Sequence, residues 1–135
     1  MSAASDYLEN KVLDHVLKNT AYTSPSTVYL GLFTNTSTNA AANLEAGTLT
    51  DEVSGGAYTR KAITFASASS GASASNATVQ FDAATADWGT VTHIAILDAS
   101  TAGNVLFWGA LTASKVVSTG DTFQVSSGNL TITLA

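Results

Sequence analysis

The sequence predicts a mainly β fold: an antiparallel β-sandwich or barrel of about seven strands with one N-terminal α-helix. Short apolar runs recur at close spacing and are separated by turn residues, which is typical of all-β domains. Apolar residues at helical spacing occur near the start of the chain. A length of 135 residues suits one domain, so we expect a single domain over 1–135.

The helix is predicted over about 6–18. Asp6 followed by Glu9 matches a capping box, in which an N-cap side chain and an acid three residues later satisfy free backbone amides. A helix this short is marginal in isolation and needs a partner surface. We expect its apolar residues to pack against the β core or a sister subunit as one stripe: Leu8, Val12, Leu13, Val16 and Leu17.

The β domain is predicted over about 27–134. Residues 28–33 are apolar or aromatic on both faces, which indicates a strand that is covered on two sides. A second strand is predicted at 58–65. Turn residues separate five further predicted strands: 76–82, 91–98, 104–111, 122–126 and 130–134.

Two polar segments interrupt this pattern. Residues 34–57 form a stretch longer than a usual connection, which predicts an exposed arm or a loop that orders against a neighbour. Residues 66–75 read ASASSGASAS, and such small side chains are typical of a flexible linker.

The composition indicates a neutral, hydroxyl-rich surface. Charged residues make up 11% of the chain, and 16 Ser and 20 Thr stand against five Lys plus Arg. Such a surface suits a domain that packs into an assembly better than an enzyme that works in solution. The net charge of −5 and the lack of a basic stripe argue against nucleic acid and against anionic membranes as partners.

The same composition restricts chemistry and location. No apolar run approaches the roughly 18 residues that span a bilayer, and the N-terminal residues lack the apolar core of a signal peptide. We therefore expect synthesis in a cytoplasm. The absence of cysteine excludes disulfides and thiolate chemistry.

The sequence indicates no enzyme and no cofactor, so we predict no catalytic, cofactor-binding or metal-binding residues. The two histidines, His15 and His93, are far apart in the chain, and no nucleophile elbow or phosphate-binding loop occurs. His93 lies mid-strand on the face of Val91 and Ala95 and is interpreted as a structural histidine.

Two groups of residues are candidates for structural or interaction roles. In the first, a Gly-Gly pair separates Glu52 from Tyr58 and Arg60, so that a fold-back pairs Glu52 with Arg60 within the chain or across a subunit boundary. A solvated loop charge is the alternative. In the second, Trp88 and Trp108 each lie beside or near glycine, which favours packed corners over a ligand platform.

The order of these motifs resembles that of small virion structural proteins of tailed bacteriophages. The resemblance runs through nearly the whole chain and is carried by six segments: 7–15, 22–34, 52–60, 86–109, 120–121 and the closing strand 130–134. Proteins of this family are often labelled tail fibre or minor tail protein, and similar small β domains serve as trimeric capsid cement. The resemblance implies a virion component that is not an enzyme.

Our first functional hypothesis from the sequence is a capsid decoration, or cement, protein that stabilises the outer shell. Its partners are then the major capsid protein and two further copies in a homotrimer. The alternative is a tail, neck or tail-fibre-associated structural protein with tail proteins as partners. A further alternative is a host-glycan-binding module that uses Trp88 and Trp108. The first two place the protein in the virion after synthesis in the bacterial host cytoplasm.

Overall fold

The computed structural model describes residues 2–134, so Met1 and Ala135 of the predicted domain lie outside the described residues. The fold is mainly β, as predicted, and its strands pair antiparallel. The elements in chain order are β1 (Ala3–Ala4), α1 (Asp6–Leu17), β2 (Val28–Phe33), α2 (Ala40–Glu45), β3 (Lys61–Ile63), β4 (Ala72–Ala74), β5 (Val79–Gln80), β6 (Gly89–Leu97), β7 (Val105–Val117), β8 (Gln124–Val125) and β9 (Thr131–Thr133).

A five-stranded sheet in the order β1-β7-β6-β2-β3 is the centre of the fold. Its inner strands β2 and β6 are apolar runs of the sequence. Most residues of both strands are buried, because the sheet is covered there. Two short two-stranded sheets, β4-β9 and β5-β8, lie apart from it in the hydrogen-bond pattern. The main core contains side chains from both parts, including Leu30 and Ile94 of the large sheet and Val79 of β5. The mainly β class with an N-terminal helix is confirmed, and residues 2–134 form nine strands where about seven were predicted.

The segment 34–57 folds against its own domain, and the prediction of an exposed arm is wrong. It contains α2, whose Leu44 is 1% exposed and packs with Phe33, Ala95 and Val105. Asp51 and Val53 are buried too. The sequence hides this because one leucine among Ala, Asn and Thr gives almost no periodic signal, while its partners lie up to about 60 residues away in the chain.

The linker prediction for 66–75 is also wrong in part. β4 lies inside this segment and pairs with β9, for example through Ser73 opposite Ile132. Backbone hydrogen bonds make this ladder, so the small side chains carry little information about it. Next to it, the Thr133 amide donates to the Ser2 hydroxyl at 3.0 Å, so both ends of the described chain meet beside this small sheet.

The helix α1 is present, but its cap and its packing differ from the prediction. Ser5, rather than Asp6, is the N-cap, and its hydroxyl accepts from the Leu8 amide at 3.3 Å. Ser5 is itself fully buried and its hydroxyl donates to the Val105 carbonyl, so the cap also ties the helix to β7. Leu8 is buried, and Val12 is half-buried against the same cluster.

The rest of the predicted stripe faces solvent. Leu13, Val16 and Leu17 are 54%, 69% and 78% exposed. At 3.6 residues per turn, Leu13 and Leu17 lie roughly 140° and 180° around the helix from Leu8. The five apolar residues therefore span two faces, and only the face of Leu8 is covered by the chain itself.

Replacement of Leu44 tests whether the segment 34–57 is part of the core. We expect Leu44→Ala to lower the free energy of unfolding by about 2–5 kcal/mol, because it leaves a cavity in a packed cluster. Leu17→Ala is the matched control, since the same change at an exposed site should cost within about 0.5 kcal/mol. Urea denaturation in dilute solution measures both values. Equal losses of unfolding free energy in the two variants would show that residues 34–57 are not packed on the core.

Candidate functional site: the Glu52–Tyr58–Arg60 network

Arg60 and Glu52 form the ion pair that their spacing predicts. Arg60 Nε donates to Glu52 Oε2 and Nη2 donates to Oε1, both at 2.7 Å, which makes the pair bidentate. The side chain of Arg60 is 3% exposed and that of Glu52 is 16% exposed. A two-pronged contact at this burial is among the stronger polar interactions of proteins.

Tyr58 connects this pair to the central sheet. Its hydroxyl donates to Glu52 Oε2 at 2.7 Å and accepts from the Leu32 amide of β2 at 3.0 Å. Gly31 permits the close approach, because a Cβ there would lie 3.3 Å from Glu52 Oε2 and 2.9 Å from Leu97 Cδ1. Glycine at position 31 of β2 therefore leaves room for the Glu52 carboxylate beside the strand.

Arg60 also holds the connection between β6 and β7. Its Nη1 donates to the carbonyls of Ala99 and Ala102 at 2.7 and 2.8 Å. The same connection is closed by Asp98, which accepts from the backbone amide and the side-chain amide of Asn104. Sequence patterns missed this role of Arg60, because its acceptors are backbone carbonyls that any residue type provides.

The electrostatics fit a closed network. Burial, together with the charge of Glu52, raises the pKa of Tyr58 far above its ordinary value of 10.0, so the phenol stays protonated. Burial alone would lower the pKa of Arg60, but hydrogen bonding to Glu52 and its charge raise it. A surface depression of about 270 Å³ borders these residues. Arg60 directs Nε, Nη1 and Nη2 to protein acceptors, so the network suits holding loops together.

Trp88 lies in the main core, 5% exposed, next to this network. Its ring meets Tyr58 edge-on at 5.5 Å, and Nε1 donates to the Gly56 carbonyl at 2.8 Å. Gly56 has a φ of +58°, and a Cβ on it would lie 2.9 Å from Trp88 Nε1, so glycine is required there. The packed-corner interpretation of Trp88 agrees with this position.

Trp108 and His93 lie together on the opposite face of the sheet, away from Trp88. Their ring centroids are 6.3 Å apart, and Trp108 Nε1 donates to Glu45 of α2. His93 Nδ1 is 2.8 Å from the Thr92 hydroxyl. Burial lowers the pKa of His93, against an opposing effect of Asp51, so the ring favours its neutral form. The candidate residues thus divide into a Glu52 group with Trp88 and a separate Trp108–His93 pair.

A second polar centre, which the sequence analysis missed, surrounds Asp51. Its carboxylate accepts from the Ser37 amide and hydroxyl at 3.0 and 2.6 Å, and also from Thr36 and Asn43. These donors precede or lie on α2. The carboxylate of Asp51 therefore connects the first part of the segment 34–57 to its last part. The spacing of 14 residues between Ser37 and Asp51 matches no local motif, which is why the sequence gave no signal.

One acidic group remains. In the part of the chain that the structure describes, Asp6, Glu9 and Glu45 bring one carboxylate oxygen each to within 4.8 Å of the others. Asp6 and Glu9 are exposed, and Glu45 already accepts from Trp108. Exposed acidic groups of this kind are common, so we assign no metal to it. Neither helix within 2–134 is long and apolar enough to cross a membrane.

The sequence model of one protein family, described as podophage GP4 fiber I protein gp80, matches residues 3–133. The chain belongs to this family. The match includes the Glu52–Tyr58–Arg60 network, both tryptophans and every helix and strand given above. Membership of a podophage fiber I family makes the chain a structural protein of a tailed-phage virion, as its sequence resemblance indicated. No curated protein matches the chain.

A double-mutant cycle on Glu52→Gln and Arg60→Met tests the network of this fiber-family protein. Removing one partner leaves the other buried without its counter-charge, so each single change should cost about 3–5 kcal/mol of unfolding free energy. The double variant should cost less than the sum, with a coupling above about 0.5 kcal/mol. The control is the more exposed ion pair of Lys61 and Asp82, whose Nζ and Oδ1 are 3.1 Å apart. It should show a coupling of about 0–1 kcal/mol. Strict additivity at Glu52 and Arg60 would contradict the stabilising role.

The acid stability of the chain tests the Asp51 centre. The Ser37 hydroxyl bond holds the pKa of Asp51 below its ordinary value of 3.8, although burial opposes it, and the Ser37 amide, Asn43 and Thr36 add to the effect. A lowered pKa in the folded state stabilises the fold above pH 3.8, and that contribution is lost as the pH falls through the folded pKa. Urea denaturation at successive pH values below 6 should reveal this loss in the parent chain.

The variants Asp51→Asn and Ser37→Ala separate this contribution from other acid effects. Asp51→Asn cannot ionise, so the part of the acid-dependent loss that belongs to this site should disappear. Ser37→Ala removes the largest cause of the pKa shift and should reduce the loss to an intermediate level. An identical pH dependence in all three proteins would show that Asp51 titrates alike in the folded and unfolded states.

Proposed function

We propose that this chain is a tail-fibre-associated structural protein that works by binding other virion proteins and not by catalysis. The observation that carries the proposal is the fiber I family match over residues 3–133. A fibre has to keep its shape outside the host without disulfides in this cysteine-free chain. The buried Glu52–Tyr58–Arg60 network suits that need, because it ties β2, the loop before β3 and the β6–β7 connection together.

The proposal of a non-enzymatic role is supported by how the polar side chains are used. The network side chains Arg60, Tyr58 and Glu52 form hydrogen bonds with one another and with the backbone. The carboxylate of Asp51 accepts hydrogen bonds from residues of the segment 34–57. In residues 2–134, every buried side-chain nitrogen and oxygen has a hydrogen-bond partner. A catalytic centre usually keeps a strained or unpaired group ready for its substrate.

A capsid decoration role remains the competing hypothesis for the same kind of protein. It drew support from a free polar arm at 34–57 that could reach a neighbouring capsid subunit. That segment packs on its own core, with Leu44 and Asp51 buried, so this support is removed. We therefore propose tail proteins as the partners, with the chain assembled as a homotrimer in the virion.

A glycan-binding role has less support in this arrangement. A sugar platform needs an exposed aromatic face, whereas Trp88 is buried beneath Tyr58 and Gly56. Trp108 is half-buried and bonded to Glu45. The two rings are not placed side by side, so they do not form one binding surface.

The copy number per virion distinguishes a fibre from a cement protein. A cement protein repeats with the capsid lattice, so its molar amount approaches that of the major capsid protein. A fibre component occurs in a few copies that the tail symmetry sets. We expect quantitative staining of purified particles to give an amount at least about tenfold below the major capsid protein, with loss of the band when tails are sheared off. Retention on tailless capsids at a near-equal molar amount would favour the cement role.

A further inference from the structure

A gap separates the outer edge of β7 from the outer edge of β9. Within residues 2–134, β7 has a strand neighbour on this edge only where β1 pairs with it, opposite Phe107 and Trp108. β9 pairs with β4 on one side, and no strand of the described chain pairs with its other side. The space between them is a cavity of about 260 Å³, lined by 109–112 on one side and by 129–132 on the other. Two strand edges therefore border one space, the β7–β9 gap.

The backbone groups of Thr131 point into this gap. In an antiparallel pair, the N–H and C=O of one residue point to the neighbouring strand, and those of the next residue point away from it. The Leu134 amide donates to the Gly71 carbonyl, so the even-numbered residues at β9 face β4. The Thr133 amide points the other way and donates to Ser2 Oγ. Thr131 follows the same alternation, and within 2–134 no group bonds to its outward N–H.

One end of the β7–β9 gap already holds an extended segment. Ala3–Ala4 pair with β7 there, and Ser2 connects this segment to Thr133 of β9 at 3.0 Å. At the other end a β-bulge interrupts β7, because its residues 111–114 lie opposite the single residue Thr92 of β6. A bulge ends regular pairing along an edge. The remaining space therefore suits a short extended segment that continues from the position of β1.

The inner side of the gap is apolar. It is formed by Ile94, Ile96 and Phe107 of the main core, with Leu111 and Ile132 beside them, and none of the described lining residues is charged. The side chains of an extended segment point alternately to its two faces, so every second one would meet this apolar surface. A charge at such a position would be buried without a partner. The gap therefore selects a segment with apolar side chains at alternate positions.

We propose that an extended segment of a different virion protein binds in the β7–β9 gap and accepts a hydrogen bond from the Thr131 amide. This inference rests on the proposed function, because the segment belongs to a neighbouring protein of the virion. Unpaired backbone groups at a strand edge bind an added strand through main-chain hydrogen bonds. The chain itself has no such segment to give, since the alternating apolar runs of 2–134 are already paired in their own sheets.

Photo-cross-linking from both sides of the gap tests this contact in assembled particles. The variants are Thr112→p-benzoylphenylalanine and Thr131→p-benzoylphenylalanine, because both side chains are exposed and both residues line the gap. Each variant is supplied to cells infected by a phage that lacks the gene for this chain, and purified particles are illuminated. Mass spectrometry should find both positions joined to the same peptide of another virion protein. Thr101→p-benzoylphenylalanine, at an exposed site on the β6–β7 connection, is the control and should not reach that peptide.

A proline variant tests the hydrogen bond itself. Thr131→Pro removes the outward amide but keeps the bonds to β4, which the even-numbered residues make. It should lower the amount of chain per purified particle about tenfold, since it removes one backbone hydrogen bond and obstructs the edge. Thr131→Val keeps the amide and a similar shape, so it should assemble like the parent. Thermal melting checks that both variants fold, and the cross-linking decides the matter if the proline variant does not.

The proposal is wrong if the two gap positions cross-link to a second copy of the chain, to unrelated peptides or to no other protein. It is also wrong if folded Thr131→Pro and Thr131→Val enter particles in equal amounts. The proposed function can survive each of these results, because the chain would still be a component of the virion. Absence of the parent chain from purified particles would contradict the proposed function and this inference together.

Discussion

The bidentate pair of Arg60 and Glu52 is the interaction on which the arrangement of the loops depends. Through Tyr58 it reaches the backbone of β2, and through Nη1 of Arg60 it reaches the carbonyls of the β6–β7 connection. One cation thus joins its own loop to the connection at Ala99, which is 39 residues further along the chain. A hydrophobic contact could supply similar stability, but it would not fix the direction of each chain segment as the four hydrogen bonds of Arg60 do.

Such a network suits a protein with few charges. Only five basic residues occur in the chain, and one of them is buried at this junction. A buried ion pair adds little net stability over apolar packing, because desolvation offsets most of its attraction. Its value here is geometric: Gly31 leaves the space in which the Glu52 carboxylate meets both Arg60 and the Tyr58 hydroxyl.

Local sequence signals predicted part of this fold well. The alternating residues of 28–33 and the apolar runs that became β6 and β7 carry strong periodicity, and the structure has strands there. The Glu52–Arg60 pair was predictable, since an acid and a scarce base flank a flexible Gly pair. The remaining features depend on tertiary contacts: the burial of Leu44, the pairing of Ala72–Ala74 with β9 and the four donors around Asp51. None of these leaves a short-range pattern, because the partners lie at separations that match no helical or strand period, from 8 residues for Asn43 and Asp51 to about 60 for Leu44 and Val105.

The neighbouring positions of Ser2 and Thr133 have a mechanical consequence. Tension applied at these two points would open their hydrogen bond first and then unzip the short pairs of β1 and β9 from the ends, one bond at a time. The long β6–β7 ladder would carry little of that load. A load that the β6–β7 ladder can resist therefore has to enter the domain elsewhere than at Ser2 and Thr133.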